Sequence, residues 1–444
     1  MKSNRRVIAY SLIVAMGGLL FGLDTAVISG AEKAIQQLFQ LTNWWHGFTV
    51  AIALIGTVFG ALAAGKPSEI FGRKKVLIFI AVLYGLSALG CAFAPSWLIL
   101  VIARFLGGVG IGASSVIGPM YIAEIAPAHL RGRLVALFQL NIVMGILIAF
   151  LSNYLLADSG DQAWRWMLGV VAFPSFIFLG LLFLIPDSPR WLVKLKRIDK
   201  ARNVLLLCGR ENADSEIAEI EESLSLHSTN SSEKLFTRKY LRPIIYAVLL
   251  AAFNQLSGIN AIMYYAPRIF EMTGLGANAS MLQSVIIGLT NLIFTILAMF
   301  IIDKFGRRTL LLIGSVGMIV FMGLVARAFY TQDFGGSTVM WYLVGYIAFF
   351  GFSQGAVIWV FISEIFPNAV RGKGQALGSF THWFGAAIIS WTFPVAANNP
   401  AIGGGHSFMF FSVMMLLHLV FVWKFLPETK GKSLEQIQKS LGIE

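Results

Sequence analysis

Asp24, in "LLFGLDTAVISG" at residues 19–30, stands inside an apolar run that begins near Val7. A charge at the centre of a bilayer costs about 2.5 to 3.5 kcal/mol on insertion scales, so an aspartate there needs a partner, a proton or a water-filled cavity. The only basic residue in the interior of the fourth apolar run is Arg104, in "ARFLGGVG". Opposite charges at depth are most economically placed against each other, so these two are expected to pair, either as a permanent brace or as a site that exchanges a proton. Gln139, Gln255, Asn260 and Asn291 lie in other apolar runs, and Trp359 in a further one. An amide at that depth is expensive unless committed, and it can commit either to a ligand or to a neighbouring helix.

The elements that position these residues follow from composition. The chain has 444 residues, 57% of them hydrophobic and 13% charged, with repeated apolar stretches of membrane-crossing length, which fits no ordinary soluble class. Apolar runs fall near 7–30, 46–64, 76–94, 97–118, 134–155 and 165–186, then near 243–270, 281–302, 309–330, 338–362, 374–396 and 406–426. Each can cross about 30 Å of hydrocarbon as a helix. The first run is too long for a signal-peptide core and is expected to be retained. The spacing predicts an all-α membrane protein of twelve spans: residues 1–186 as one six-helix bundle, 187–242 as a linker with short amphipathic helices, and 243–444 as a second bundle with its tail.

The net charge of +12 matters less than its placement. About 29 of the 34 Lys and Arg fall in the N-terminus, alternate loops, the central segment and the tail, which the positive-inside rule assigns to the cytoplasm. The opposite loops, such as "TGLGANAS" and "TQDFGGST", are nearly free of them, so both termini are expected inside and nucleic acid is not an expected partner. Cys91 and Cys208 offer no disulfide framework, and six scattered histidines offer no metal cluster.

The halves repeat. "FGRKK" at 71–75 recurs as "FGRRT" at 305–309, and "AEIAPAHLRGR" at 123–133 recurs as "SEIFPNAVRGK" at 363–373. Gly72 and Gly306 are 234 residues apart and Arg131 and Arg371 are 240 apart, so the same loops return at the same places. Parallel six-helix repeats with a binding site at their interface are the design of a rocking transporter.

At these motifs, together with "RFLGGVGIG", "PDSPRWL" (186–192), "NQLSGINAIMYYAP" (254–267) and "PETKGKSLEQI" (427–437), the chain resembles the sugar porter family of the major facilitator superfamily over nearly all its length. The resemblance implies two pseudo-symmetric six-helix bundles, alternating access and a monosaccharide in a central cavity. It implies substrate contacts at Gln139, Gln255, Asn260, Asn291 and Trp359, with Asn254, Tyr264, His382, Trp383 and Phe21 as further lining residues. Amides satisfy ring hydroxyls and an indole satisfies the apolar face of a sugar. Gly258 and Pro267 suit a broken seventh helix beside such a site.

Proton-coupled members carry an aspartate where Asp24 stands, whereas facilitators tend to have a neutral residue. The resemblance therefore implies a proton symporter, with Asp24 and Arg104 as the coupling pair, protons as the coupling ion and no other cofactor. A uniporter with the same site is the alternative. Two departures bear on substrate choice: Asn254 stands where glutamine is common, and His382 where an amide or small polar group is common.

Arg73, Glu124, Arg131 and Arg133 recur as Arg307, Glu364, Arg371 and Lys373 near the inner ends of helices. They are expected to pair across the halves and lock the inner face shut in the outward-open state, as a cytoplasmic gate. The first copy has Glu69 and Ile70 where the family has an Asp-Arg pair, while the second keeps Asp303 and Lys304, so the first is expected to hold more weakly. Asp187, Arg190 and Glu428 are expected to anchor the linker and tail.

An enzyme finds no support: "GGVGIGAS" lacks both the G-x-G-x-x-G spacing and a preceding soluble strand, and its small residues suit helix packing. A receptor built on this fold would be expected to carry a long signalling tail. The expected setting is a bacterial inner membrane, and the expected working unit a monomer.

Overall fold

The computed structural model describes residues 2–210, 212–230, 233–367, 369–432 and 434–443, and among them every regular element is helical. The first half comprises α1 (Lys2–Leu38), α2 (Asn43–Ala63), α3 (Gly65–Phe71), α4 (Arg73–Ala92), α5 (Trp97–Ile125), α6 (Ala128–Leu156), α7 (Ala163–Gly169) and α8 (Ala172–Leu182). The linker folds as α9 (Pro189–Lys194), α10 (Ile198–Leu207) and α11 (Ala213–Asn230). The second half comprises α12 (Leu241–Leu256), α13 (Ile259–Glu271), α14 (Ala277–Phe305), α15 (Arg307–Thr331), α16 (Thr338–Phe352), α17 (Gln354–Ile365), α18 (Arg371–Ala397) and α19 (Gly403–Phe425), with α20 (Leu434–Leu441) in the tail.

Eleven helical stretches among the described residues are long and apolar enough to cross a membrane. The remaining expected span is α18, whose 27 residues suffice in length. It carries Arg371, Lys373, Gln375, Thr381 and His382 along its first half, which lowers its mean hydropathy. Three expected spans are each two helices in series: α7 with α8, α12 with α13, and α16 with α17. The seventh breaks at Gly258, whose φ is +87°, and kinks again at Tyr265 (φ −123°, ψ 20°), two residues before Pro267. The left-handed Gly258 separates α12 from α13, and Pro267, which removes a backbone donor and crowds the preceding turn, accounts for the kink within α13.

The repeated "FGR" motifs form the same turn in both halves. Gly72 and Gly306 have φ of +89° and +87°, a left-handed geometry that glycine adopts without strain. Each lies under a group from the linker or tail: a Cβ at 72 would come within 2.9 Å of the Trp191 indole, and one at 306 within 2.6 Å of the Glu428 carboxylate.

By their internal contacts the described residues group into two compact units. One contains 1–27, 55–149 and 165–232; the other contains 28–54, 150–164 and 233–444. In the first unit, α1 and α6 approach backbone to backbone, since a Cβ on Gly22 would sit 1.8 Å from the Ile142 carbonyl oxygen and one on Gly145 2.1 Å from that of Leu19. Small residues at such crossings replace the hydrophobic drive that lipid does not supply. In the second unit, the last part of α1 and the first of α2 pack with α13 and α18. The Trp391 indole donates to the Trp44 carbonyl (3.1 Å), Lys33 pairs with Glu271, and Arg268 donates to Gln36. A core of Leu250, Val357, Phe361, Ile365, Phe366 and Val422 lies at the opposite end of that unit.

Candidate functional site

Asp24 and Arg104 are both in the first unit and both buried, with 5% and 1% of their side chains exposed. Arg104 Nη1 donates to Asp24 Oδ1 at 3.1 Å and to the Asp24 backbone carbonyl at 3.2 Å. The contact uses one nitrogen. Asp24 Oδ2 and Arg104 Nε and Nη2 have no hydrogen-bond partner among the described residues. A forked two-bond pair is the strong arrangement for guanidinium and carboxylate, whereas this one leaves one carboxylate oxygen and the N–H groups of two guanidinium nitrogens unused. Gly107 keeps the approach open: a Cβ there would lie 2.4 Å from Ser87 Oγ and 3.6 Å from Asp24 Oδ2. Ser87 is itself fixed by donating to the Ala103 carbonyl at 2.7 Å. The chemistry available is a carboxylate with a free oxygen, isolated from water and held by one permanent cation.

The second polar group is in the other unit, around the break between α12 and α13. Gln255 is its hub: Nε2 donates to Asn254 Oδ1 (2.9 Å) and lies 3.0 Å from His382 Nδ1, while Oε1 accepts from Asn260 Nδ2 (2.5 Å). Because the amide NH2 can only donate, it requires an imidazole nitrogen without a proton at the contact. Asn254 also reaches the Gln354 carbonyl across 3.4 Å. The His382 ring lies between two indoles, with centroids 4.8 Å from both Trp359 and Trp383. Asn254 and Gln255 are buried, whereas Asn260, Trp359 and His382 keep partial exposure, so the cluster has a closed back and an accessible front.

Six of the expected substrate residues are thus one group joined by hydrogen bonds and tilted or edge-on ring contacts: Asn254, Gln255, Asn260, Trp359, His382 and Trp383. Asn291 is buried in the same unit, with Oδ1 3.7 Å from where a Cβ on Gly351 would lie. Tyr264 is fully buried in α13. Gln139 and Phe21 belong to the first unit, where Gln139 is half-buried and Phe21 buried.

The gate residues form one bonded cluster within each half. Each repeated glutamate pairs with the arginine of its own half: Arg73 donates to Glu124 Oε1 at 2.8 and 3.1 Å, and Arg307 to Glu364 Oε1 at 2.9 Å. The other oxygen is also taken within the half, by the Ser188 hydroxyl for Glu124 and by the Thr429 hydroxyl at 2.6 Å for Glu364. Arg131 and Arg133 are exposed, and Arg371 bonds the Phe366 carbonyl at 3.3 Å. Glu69, 63% exposed, pairs with Lys194 at 3.0 Å, and Asp303, 82% exposed, pairs with Arg307 at the same distance.

Of the three expected anchors, Glu428 reaches the gate turn, while Arg190 ties one linker helix to another. Arg190 reaches Ser223 on α11 at 3.0 Å, and Glu428 accepts from the backbone N–H groups of Arg307 and Arg308 at 2.9 and 3.0 Å. Asp187 is half-buried beside them in sequence. Cys208 is buried in the linker, and burial, against a smaller opposing effect of Arg210, pushes its thiol up to about 11.

Sequence reasoning missed two groups. Gln354, at the break before α17, lies 3.3 Å from His418 Nδ1, which also meets Ser315 Oγ at 2.8 Å. Glu32 and His46 meet with Arg268 at the end of α1. The signal for the second was present, since "GAEKAIQQL" continues a helical pattern past residue 30.

With that geometry in place, comparison with known proteins is informative. The sugar (and other) transporter family model matches residues 10–441. The D-xylose-proton symporter of Escherichia coli (strain K12) is 38% identical, over 97% of this chain and 95% of its own. The arabinose-proton symporter of Bacillus subtilis (strain 168) is 38% identical, over 98% and 94% respectively. Among solved structures, the inward-open conformation of the xylose transporter from E. coli superposes with a TM-score of 0.87 at 37% identity, covering 98% of this chain and 99% of that one.

Proposed function

The chain belongs to the sugar transporter family and has its twelve-helix major facilitator fold, and from that premise we propose that it is a proton-coupled monosaccharide symporter working by alternating access. The observation that carries this reading is the half-satisfied Asp24–Arg104 pair buried within membrane-spanning helices. A permanent brace would be expected to use both carboxylate oxygens. A coupling site needs one that can receive a proton, and Asp24 Oδ2 is free to do so.

In the cycle we infer, a proton entering from outside neutralises Asp24 and removes its attraction for Arg104, which frees α1 from α5. The loaded carrier then closes outward and opens inward, and loss of the proton to the cytoplasm restores the pair. One charge moving down 100 mV supplies about 2.3 kcal/mol, enough for roughly 50-fold accumulation at about 1.4 kcal/mol per tenfold. The substrate residues we infer are the Gln255 group with Asn291 in the second unit, and Gln139 in the first. Amides exchange donors and acceptors with ring hydroxyls and Trp359 meets the apolar face. Both relatives named above act on pentoses, which supports a pentose or hexose here.

The same reading takes protons as the only coupling partner, a single chain as the working unit and a bacterial inner membrane as the setting. It places both termini and the "FGR" turns in the cytoplasm, supported by the asymmetry of Lys and Arg. The test is uptake of labelled xylose, arabinose, glucose and galactose into proteoliposomes with and without an inward proton gradient. Accumulation of at least one sugar above its external concentration only with the gradient is expected. Equilibration that ignores the gradient would make the protein a uniporter.

A further inference from the structure

The end of α1 and the start of α2 hold ionisable groups that this cycle does not use. Glu32 and His46 are 2% and 0% exposed, and Glu32 Oε2 lies 2.6 Å from His46 Nε2. The other carboxylate oxygen lies 3.5 Å from Arg268 Nε on α13, and Arg268 is in turn held by Gln36. The contact between Glu32 and His46 is close but not aligned as a hydrogen bond; His46 Nδ1 and Arg268 Nη1 have no hydrogen-bond partner among the described residues. The Tyr265 ring stands 5.9 Å from the imidazole, edge-on, and Lys33 pairs with Glu271 one residue along from Glu32. From α18 the neighbours are Phe393, against Tyr265, and the Trp391 carbonyl, over Gly47; neither ionises.

One buried carboxylate therefore faces two groups that can neutralise it, and a carboxylate so far from water requires a cation. Arginine is charged at every physiological pH, while histidine is charged only when it holds a proton. The two differ in mechanical attachment as well. Glu32 and His46 sit on successive helices of the first half joined by four residues, 39–42, whereas Arg268 belongs to the second half. Resting on the alternating-access reading above, opening of this outer end draws α13 away from α1 and α2. That motion separates Glu32 from Arg268 and leaves Glu32 with His46.

We propose that Glu32 and His46 form a second proton-binding site, filled from the outer solution when Arg268 withdraws and emptied when it returns. With this end closed, Arg268 neutralises Glu32 and the imidazole is neutral. With it open, a proton on His46 takes the place of the guanidinium. The proton enters and leaves on the same side, so the site adds nothing to the transported stoichiometry; it biases the outer gate. The open form binds one more proton than the closed form, so by linkage acid favours opening, and rising pH favours closure.

The test uses the full chain in the Asp24→Asn background, which removes coupling at the central pair and needs no transport to be read. Cys91 and Cys208 are replaced by alanine, and spin labels are placed at Leu38→Cys and Ala277→Cys, both exposed at this end. The distance distribution is measured in proteoliposomes from pH 5 to 8. The expected result is an open-to-closed ratio that rises by up to about tenfold per unit fall in pH, the limit for one linked proton. His46→Gln and Arg268→Gln should each flatten that slope, while Arg268→Lys, which keeps the cation, should preserve it. A ratio independent of pH in the Asp24→Asn parent, a slope of opposite sign, or a slope that survives His46→Gln overturns the proposal. Failure of the symport reading would appear instead as gradient-independent uptake by the unaltered protein.

Discussion

Arg104→Gln should be far more damaging than its conservative size suggests. The substitution leaves Asp24 with 5% of its side chain exposed, no cation, and Oδ2 still without a partner. Removing one member of a buried ion pair costs about 3–5 kcal/mol, because the survivor's desolvation is no longer compensated. The near-complete burial of both side chains means that solvent screening does not reduce that figure. Adding Asp24→Asn removes the uncompensated charge and lets two neutral amides share a hydrogen bond, so the double variant should return to within about 1–2 kcal/mol of the parent. Asp24→Asn alone should fall between, since its carboxamide oxygen still accepts from Arg104. The assay is thermal unfolding of the purified protein in detergent, followed by near-UV circular dichroism and read as the order of midpoints. A double variant no more stable than Arg104→Gln would refute the claim that Asp24 is charged and held by Arg104.

Gly22→Val should abolish recovery of folded protein, because even its Cβ would meet the Ile142 carbonyl at 1.8 Å; overpacking of about 1–3 kcal/mol or more is expected, and size-exclusion profiles of solubilised membranes would reveal it. Gln255→Ala should raise KM for the transported sugar at least about tenfold with a smaller change in maximal rate, since it deprives His382, Asn254 and Asn260 of their shared partner. Initial uptake rates against sugar concentration check it. At the linker, only the thiolate of Cys208 reacts with iodoacetamide, and its thiol sits at about 11. Alkylation at pH 7 should therefore be about 100-fold slower than for an ordinary thiol of 9.0 and should climb about tenfold per pH unit until near 11. Mass spectrometry of the linker peptide measures it.

Much of this architecture is written in patterns that one chain displays without help. The duplicated "FGR" and "RG" loops announce two halves because a turn that needs glycine at φ near +88° and an arginine beside it is hard to encode otherwise; the structure has Gly72 and Gly306 at +89° and +87°. Asp24 and Arg104 were matched by cost alone, since neither charge tolerates lipid. What stayed hidden depends on tertiary partners. Nothing in the spacing says that Glu124 chooses Arg73 and Ser188, or that Glu364 chooses Arg307 and Thr429, because those choices rest on where α9 and the tail fold back. The last turns of α1 lie beyond the apolar run because Glu32, Lys33, Gln36 and Gln37 are polar; Arg268, His46 and Glu271 meet the first three of them. The proposed substrate group lay between these extremes. Gln139, Gln255, Asn260, Asn291 and Trp359 were legible by depth and resemblance, but the hub role of Gln255 and the contacts of the His382 ring with two indoles required the fold.

The most direct measurement of proton coupling is proton movement itself. Proteoliposomes with membrane potential clamped to zero receive the transported sugar outside, and a pH-sensitive dye reports the external medium while labelled sugar reports uptake. The account predicts external alkalinisation of one proton per sugar for the parent, and none for Asp24→Asn even while that variant exchanges sugar. Uptake by the parent without alkalinisation, or alkalinisation undiminished in Asp24→Asn, would contradict it.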